Sequence, residues 1–138
     1  MKKYAISKTL SANDVGDTGA HQAGIHVPKS HDILSFFPDL DHSTKNPRHL
    51  LEFRDDSGTV WEFAFIYYNN KYFGGTRNEY RLTRMTPFIR EHGLAAGDKL
   101  CLERSDSGRL HVRYERKRSG LTRDGALRLG SNWKVINI

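Results

Sequence analysis

The sequence predicts a small, mainly β barrel with two short helices at its ends. Short apolar runs of alternating polarity are separated by clusters of Gly, Asn, Asp and Ser, which is the pattern of strands joined by turns. Only two segments carry helix start and stop signals. A chain of 138 residues can bury one core, and no internal repeat divides it. We therefore expect residues 1–138 to form a single domain of about seven strands.

Local signals define the elements in chain order. The expected elements are strand 4–10, loop 11–22, strand 23–27, helix 31–37, loop 40–48, hairpin arms 50–54 and 59–69, helix 86–92, hairpin arms 99–104 and 109–116, and strand 132–138. Turn formers fill residues 11–22, Ser30 is a suitable N-cap, and Pro38 ends the first helix. Asp56-Ser57-Gly58 turns the first hairpin, and Gly93 ends the second helix.

Composition restricts the partners of the protein. The net charge is +6 and the pI about 9.6, which favours a polyanion such as nucleic acid. The single Cys101 excludes an internal disulfide and a cysteine-rich zinc site, and its alternating surroundings predict a buried thiol. No apolar run approaches the roughly 20 residues of a membrane span, and no signal peptide is visible. We expect a cytoplasmic protein without a membrane partner.

The most informative segment is residues 71–83, KYFGGTRNEYRLT. If it is extended, Arg77, Glu79 and Arg81 share one face. Arginine matches guanine in the major groove, glutamate accepts from cytosine, and asparagine, here Asn78, pairs with adenine. Together with Lys71, these residues are candidate DNA contacts. An Arg–Glu–Arg ion-pair ladder on a solvated strand explains the pattern equally well.

A second polar segment is the loop at residues 11–22. It carries Ser11, Asn13, Asp14 and His21, with glycines that allow close approach to a partner, and Lys8 precedes it. In isolation an ordinary surface loop explains it better. Because both polar segments follow strands, however, the two could straddle a duplex as a pair of arms.

Other charged groups give weaker signals. The basic run at residues 113–123 suits phosphate contacts, and a solvated hairpin end is nearly as good an explanation. The histidines at 42 and 49 with Asn46 are too closely spaced for a histidine-type nuclease. Glu52, Asp55, Asp56 and Glu62 could suggest a metal-dependent nuclease, but Ala64 stands where the required lysine would follow. We expect no catalytic set, no metal and no cofactor.

Two long motifs carry a family resemblance. Residues 10–29, LSANDVGDTGAHQAGIHVPK, and residues 67–84, YYNNKYFGGTRNEYRLTR, with NPR at 46–48, resemble the N-terminal effector domain of EcoRII-type restriction endonucleases. The resemblance covers roughly residues 4–104. The chain differs from the family pattern at His26, Gly75 and Tyr80, where EcoRII has tyrosine, lysine and lysine.

The resemblance implies a seven-stranded DNA-binding pseudobarrel like that of the plant B-three transcription-factor domains. In that fold two arms clasp the major groove. Five residues of this chain fall in the first arm, the N-arm: Lys8, Ser11, Asn13, Asp14 and His21. Four fall in the second, the C-arm: Arg77, Asn78, Glu79 and Arg81.

The expected function is sequence-specific recognition of double-stranded DNA at a short G·C-rich site, which is CCWGG (W being A or T) if the target follows the family. The resemblance also implies a non-catalytic, monomeric domain linked to the nuclease domain of a type II restriction endonuclease. A metal-dependent nuclease in its own right, or a non-specific nucleic-acid-binding module, are the alternatives.

Overall fold

The computed structural model describes residues 3–16, 24–117 and 132–136. In these residues the chain forms eight strands: β1 (Lys3–Thr9), β2 (Ile25–Val27), β3 (Arg48–Arg54), β4 (Val60–Tyr68), β5 (Glu79–Thr83), β6 (Lys99–Ser105), β7 (Leu110–Glu115) and β8 (Trp133–Ile136). Two α-helices, α1 (His31–Leu34) and α2 (Thr86–Glu91), and one 3₁₀ helix (Asn70–Phe73) complete the fold. No helix in the described ranges is long and apolar enough to cross a membrane.

All eight strands belong to one curled sheet with the order β2-β5-β4-β3-β7-β6-β1-β8. Neighbouring strands are antiparallel except for β3 and β7, which pair in parallel over only two residues. The two ends of the sheet are joined where the indole Nε1 of Trp133 in β8 donates to the carbonyl of His26 in β2, at 2.9 Å. This side-chain bond links the two edge strands of the curled sheet, although β2 and β8 do not pair with each other as strands.

Aromatic rings fill the interior. Phe53, Phe63 and Phe88 are fully buried, as is expected for rings that remove a large area from water. A column of four stacked rings joins the segment after α1 to β4 and β5: Phe37, Phe65, Tyr80 and Tyr67, with successive centroids 4.4, 5.5 and 4.4 Å apart. Strand β4 is buried from Phe63 to Tyr67 and lies inside the sheet, between β5 and β3.

Most predicted elements are confirmed, with boundaries shifted by a few residues. Both hairpins form at the predicted turns, and Gly93 has the left-handed φ of 59° directly after α2. The first helix is shorter than predicted, since it ends at Leu34, and Ser30 makes no side-chain bond to cap it. Cys101 is buried, and burial raises the pKa of its thiol.

The segment at residues 71–83 is not extended throughout, which corrects the strand interpretation. Only Glu79–Thr83 is a strand, and this adds one strand to the predicted seven. The 3₁₀ helix (Asn70–Phe73) precedes this strand and ends at Gly74, which adopts a left-handed φ of 94°. The backbone N–H of Lys71 donates to the carbonyl of Arg77 at 2.9 Å. The chain folds back on itself before β5 begins.

Candidate nucleic-acid interface

The C-arm of this chain begins with a closed loop at residues 69–78, which leads into β5. Asn69, which is almost fully buried, anchors its base: the side-chain amide donates to the carbonyl of Thr44 at 2.8 Å and accepts from the backbone N–H of Asn46 at 2.7 Å. The N–H of Gly75 donates to the carbonyl of Asn70 at 2.7 Å. These bonds fix the loop before any ligand is present.

An ion-pair triad lies where the C-arm enters β5. Glu79 Oε2 is 2.8 Å from Arg77 Nη2 and 2.5 Å from Arg81 Nε. Burial alone would raise the pKa of Glu79, but the hydrogen bonds from Arg77 and Arg81 outweigh it and hold the pKa below its ordinary value. Glu79 is therefore an acceptor at neutral pH. Both ion pairs use the same oxygen, Oε2.

The two arginines differ in how much of the guanidinium is already used. Arg81 donates through Nε to Glu79 and through Nη1 to the carbonyl of Gly24 at 3.0 Å, and its side chain is 20% exposed. Arg77 stacks on the ring of Tyr68 at 3.8 Å, donates one bond to Glu79, and is 38% exposed. Arg77 is the better placed of the two to bind a ligand.

Asn78 is held by two side chains of the protein, the buried Tyr67 and the exposed Lys29. Its Oδ1 accepts from the hydroxyl of Tyr67 at 2.5 Å and from the ammonium of Lys29 at 2.9 Å. Bidentate pairing with adenine requires both the oxygen and the nitrogen of the amide. Because the oxygen already has two donors, this arrangement favours a positioning role for Asn78.

The N-arm begins with a helical turn that closes on itself. The backbone N–H of Asp14 donates to Ser11 Oγ at 3.1 Å, and the N–H of Ser11 donates to Asp14 Oδ2 at 3.0 Å. This reciprocal pair is a capping box, and the S-x-x-D spacing of the sequence is its signal, although the sequence analysis assigned both residues to DNA contacts. Lys8 lies 3.1 Å from Asp14, and both side chains are more than 90% buried.

Of the predicted N-arm residues, Lys8 and Asp14 are thus buried within the protein, Ser11 is half-buried, and Asn13 is exposed. His21 lies outside the described residues. In the C-arm, Lys71 is exposed, with its ammonium 5.9 Å from the ring of Tyr72.

Strand β2 brings the two arms together through His26. This residue stands opposite Arg81 of β5, and its carbonyl accepts from Trp133, which itself stands opposite Lys8 of β1. Partial burial and the Arg81 guanidinium lower the pKa of His26; Lys8 acts in the same direction, while the carboxylates of both arms oppose them. Strand β2 therefore links β5, which carries part of the C-arm, to β8 and so to Lys8 at the base of the N-arm. Sequence reasoning gave no role to His26 or Lys29, because only strand pairing places them there.

The described part of the basic run is engaged within the protein. Arg113 is 3.0 Å from Glu103 and 3.2 Å from Glu115, and Arg116 donates to the carbonyls of His92 and Gly93. Residues 118–123 of the run lie outside the described residues.

The acidic residues have structural partners instead of forming a site. Asp55 accepts from the indole of Trp61 and from the backbone of its own turn, and Glu62 pairs with Arg84 at 2.7 Å. Within the ranges that the structure describes, no group of three or more His, Cys, Asp or Glu side chains could hold a metal ion.

Comparisons with known proteins agree with this geometry. Residues 2–90 match the family model described as restriction endonuclease EcoRII, N-terminal. The type II restriction enzyme EcoRII of Escherichia coli is 44% identical over 84 residues, which cover 59% of this chain and 20% of that enzyme. Auxin response factor 10 of Arabidopsis thaliana is 33% identical over 121 residues, which cover 87% of this chain and 16% of that factor.

Among solved structures, a chain described as an Arabidopsis FUS3-DNA complex superposes with a TM-score of 0.63 at 22% identity, covering 81% of this chain and 96% of that chain. This likeness confirms the predicted pseudobarrel. The chain spans about a fifth or less of the length of EcoRII and of the auxin response factors that it matches. Since the family model matches well over half of the sequence, the protein belongs to the family of the EcoRII N-terminal domain.

Proposed function

We propose that this protein recognises a short sequence in double-stranded DNA through the joint surface of its two arms. The observation that carries the proposal is the triad of Arg77, Glu79 and Arg81. An exposed guanidinium and an ionised carboxylate lie side by side on a preformed loop of a protein with net charge +6. The similarity to the restriction enzyme EcoRII and to a FUS3-DNA complex also supports DNA binding.

Arg77 and Glu79 would read the two bases of one G·C pair. Arg77 retains donors beyond the one bonded to Glu79, and these suit the two acceptors of guanine. Glu79 Oε1, which takes part in neither ion pair, would accept from the amino group of cytosine. Arg81 and Asn78 would hold these readers in place, and Asn13, His21 and Lys71 would contact the duplex from the flanks.

Several properties of the whole protein follow from this proposal. The target would be a short G·C-rich site, which is CCWGG if it follows that of EcoRII. The residues 1–138 would act as one monomeric, non-catalytic domain that works in the cytoplasm. A nuclease domain in the same protein would cut the DNA that this domain recognises, and the domain itself would need no metal or cofactor.

Selection from a random duplex pool tests the proposal. Purified protein is mixed with the pool, bound DNA is sequenced, and the winning duplex is titrated with and without magnesium. We expect one enriched G·C-rich site, equal affinity with and without magnesium, and intact DNA. A pool without enrichment would support a general polyanion binder, and cleavage that requires magnesium would support a nuclease; either result contradicts the proposal.

A further inference from the structure

The C-arm exposes two neighbouring aromatic rings that have no role in the proposed recognition of the G·C pair by Arg77 and Glu79. Tyr72 is 65% exposed and Phe73 is 44% exposed. In the described part of the chain only Leu50 and Val60 are large apolar residues of comparable exposure, and they lie on β3 and β4. We call Tyr72 and Phe73 the aromatic tip.

The tip is held outward by the backbone of the arm. The N–H of Tyr72 donates to the carbonyl of Asn69 at 3.0 Å, and Asn69 is itself anchored in the protein. Gly74, in the left-handed conformation, turns the chain directly after the tip. Because the loop is closed by its own bonds, its backbone keeps both rings exposed to solvent.

The loop also places the tip beside the arginine that reads DNA. The N–H of Lys71, immediately before the tip, donates to the carbonyl of Arg77 at 2.9 Å. Lys71 and Arg77 give the surroundings of the tip a positive charge, and this favours a polyanion over an acidic or neutral protein as the partner that covers it.

We infer that the aromatic tip contacts the methyl group of thymine in the base pair next to the one that Arg77 reads. Aromatic side chains pack against the thymine methyl in the major groove, and cytosine has no such group. The inference rests on the proposed function and adds to it the part of the surface that selects A·T over G·C at the centre of the site.

This contact is compatible with a central position that accepts either A or T. The duplex whose one strand reads CCTGG reads CCAGG on the other, so each copy contains one central thymine. A monomer can bind this nearly palindromic site in either direction. Contact with thymine would therefore choose the direction of binding, and it would reject CCCGG, where neither strand offers a methyl group.

The test compares three duplexes that differ only at the central pair: CCTGG, the same site with deoxyuridine in place of that thymine, and CCCGG. For the unaltered protein, we expect the loss of one methyl group to weaken binding about three- to fivefold. The double variant Tyr72→Ser, Phe73→Ser should bind the thymine and deoxyuridine duplexes equally, and it should bind the thymine duplex at least about fivefold more weakly than the unaltered protein does.

Two controls keep the result specific. Leu50→Ser removes an apolar group of similar exposure on β3 and should change nothing. An apolar contact releases no counterions, so the tip variant should keep the salt dependence of the unaltered protein. Equal binding of the thymine and deoxyuridine duplexes by the unaltered protein would overturn the inference, as would an unchanged affinity or a shallower salt slope in the tip variant.

Arg77→Ala in the same assay separates this inference from the proposed function. If Arg77→Ala weakens binding and the tip variant does not, only the role of the tip is wrong. If neither variant changes affinity, the C-arm does not read DNA, and the proposed function fails with it.

Discussion

Single residues in the two arms have roles that depend on which of their atoms are already bonded. Lys8 and Asp14 form a buried pair, the amide oxygen of Asn78 has two donors, and Arg81 is bonded to Glu79 and to a backbone carbonyl. Arg77 combines exposure with unused donors. We therefore separate residues that would read DNA from residues that hold the readers in place.

The first prediction concerns the reading pair. Arg77→Ala should cost about 1–3 kcal/mol in binding the selected duplex and relax the preference at one G·C pair. Glu79→Ala should reduce discrimination at the same pair. Titration of the selected duplex and of a duplex with that pair changed to A·T measures both effects.

The control for Glu79 is Glu62→Ala, which removes an exposed carboxylate that also pairs with an arginine, Arg84. A glutamate that only pairs with arginine near DNA repels phosphate, so its loss should strengthen binding. If Glu79→Ala binds more tightly with unchanged specificity, then Arg77, Glu79 and Arg81 only form ion pairs with one another and do not read DNA.

The second prediction concerns the buried pair. Asp14→Asn leaves the charge of Lys8 buried without its partner, and it should lower the free energy of unfolding by about 3–5 kcal/mol. Glu62→Gln breaks an exposed pair and should cost less than about 1 kcal/mol. Denaturant titration compares the two. Equal losses would mean that Lys8 and Asp14 do not depend on each other.

At the scale of elements, the described part of each arm is held by hydrogen bonds of its own. The N-arm begins with a capping box, and the C-arm combines a 3₁₀ helix with a glycine turn. A preformed loop loses less conformational entropy on binding, which favours specific recognition by a small surface.

The third prediction concerns the β3–β4 turn. The hydrogen bond from Trp61 and those from Ser57 and Thr59 hold the pKa of Asp55 at about 2, below its ordinary value of 3.8, even though burial opposes this. A lowered pKa in the folded state means that the ionised form stabilises the fold above about pH 4, and that this contribution is lost as the pH falls towards 2.

Asp55→Asn should therefore lower the free energy of unfolding by about 1.5–3 kcal/mol at pH 7, since it removes charged hydrogen bonds. The difference from the unaltered protein should shrink between pH 4 and 2, as followed by denaturant titration at several pH values. Asp56→Asn is the matched control, because Asp56 is exposed in the same turn. A difference that stays constant with pH would show that the charge of Asp55 is not the cause.

At the scale of the whole molecule, the number of basic residues overstates the number of basic side chains available to contact phosphates. Among the described residues, several arginines are bonded within the protein: Arg81, Arg84, Arg104, Arg113 and Arg116. The phosphate contacts should therefore be fewer than the basic residues.

The fourth prediction concerns salt. The logarithm of affinity should fall linearly with the logarithm of salt concentration, with a slope of about −0.9 for each phosphate neutralised. Binding of the selected duplex should persist at a salt concentration where random duplex is no longer bound. Parallel curves that never differ by tenfold would mean that the domain binds DNA without reading its sequence.

Several parts of the fold depend on local chemistry and can be predicted from the sequence. The turn at Asp56-Ser57-Gly58, the helix that ends before Gly93 and the strand around the buried Cys101 are set by residues close together in the chain, and all are confirmed. The motif at residues 67–84 predicted the family in the same way, because it is contiguous.

Only the tertiary structure decided how the surface between the arms is built. His26 joins them because β2 pairs with β5 and meets β8, and these pairings link residues more than 50 positions apart. The sequence could not show that Lys8 and Asp14 face each other away from solvent, or that Lys29 reaches Asn78. Residue types give the donors and acceptors of a site, but which of them stay available to a ligand depends on the contacts that folding makes first.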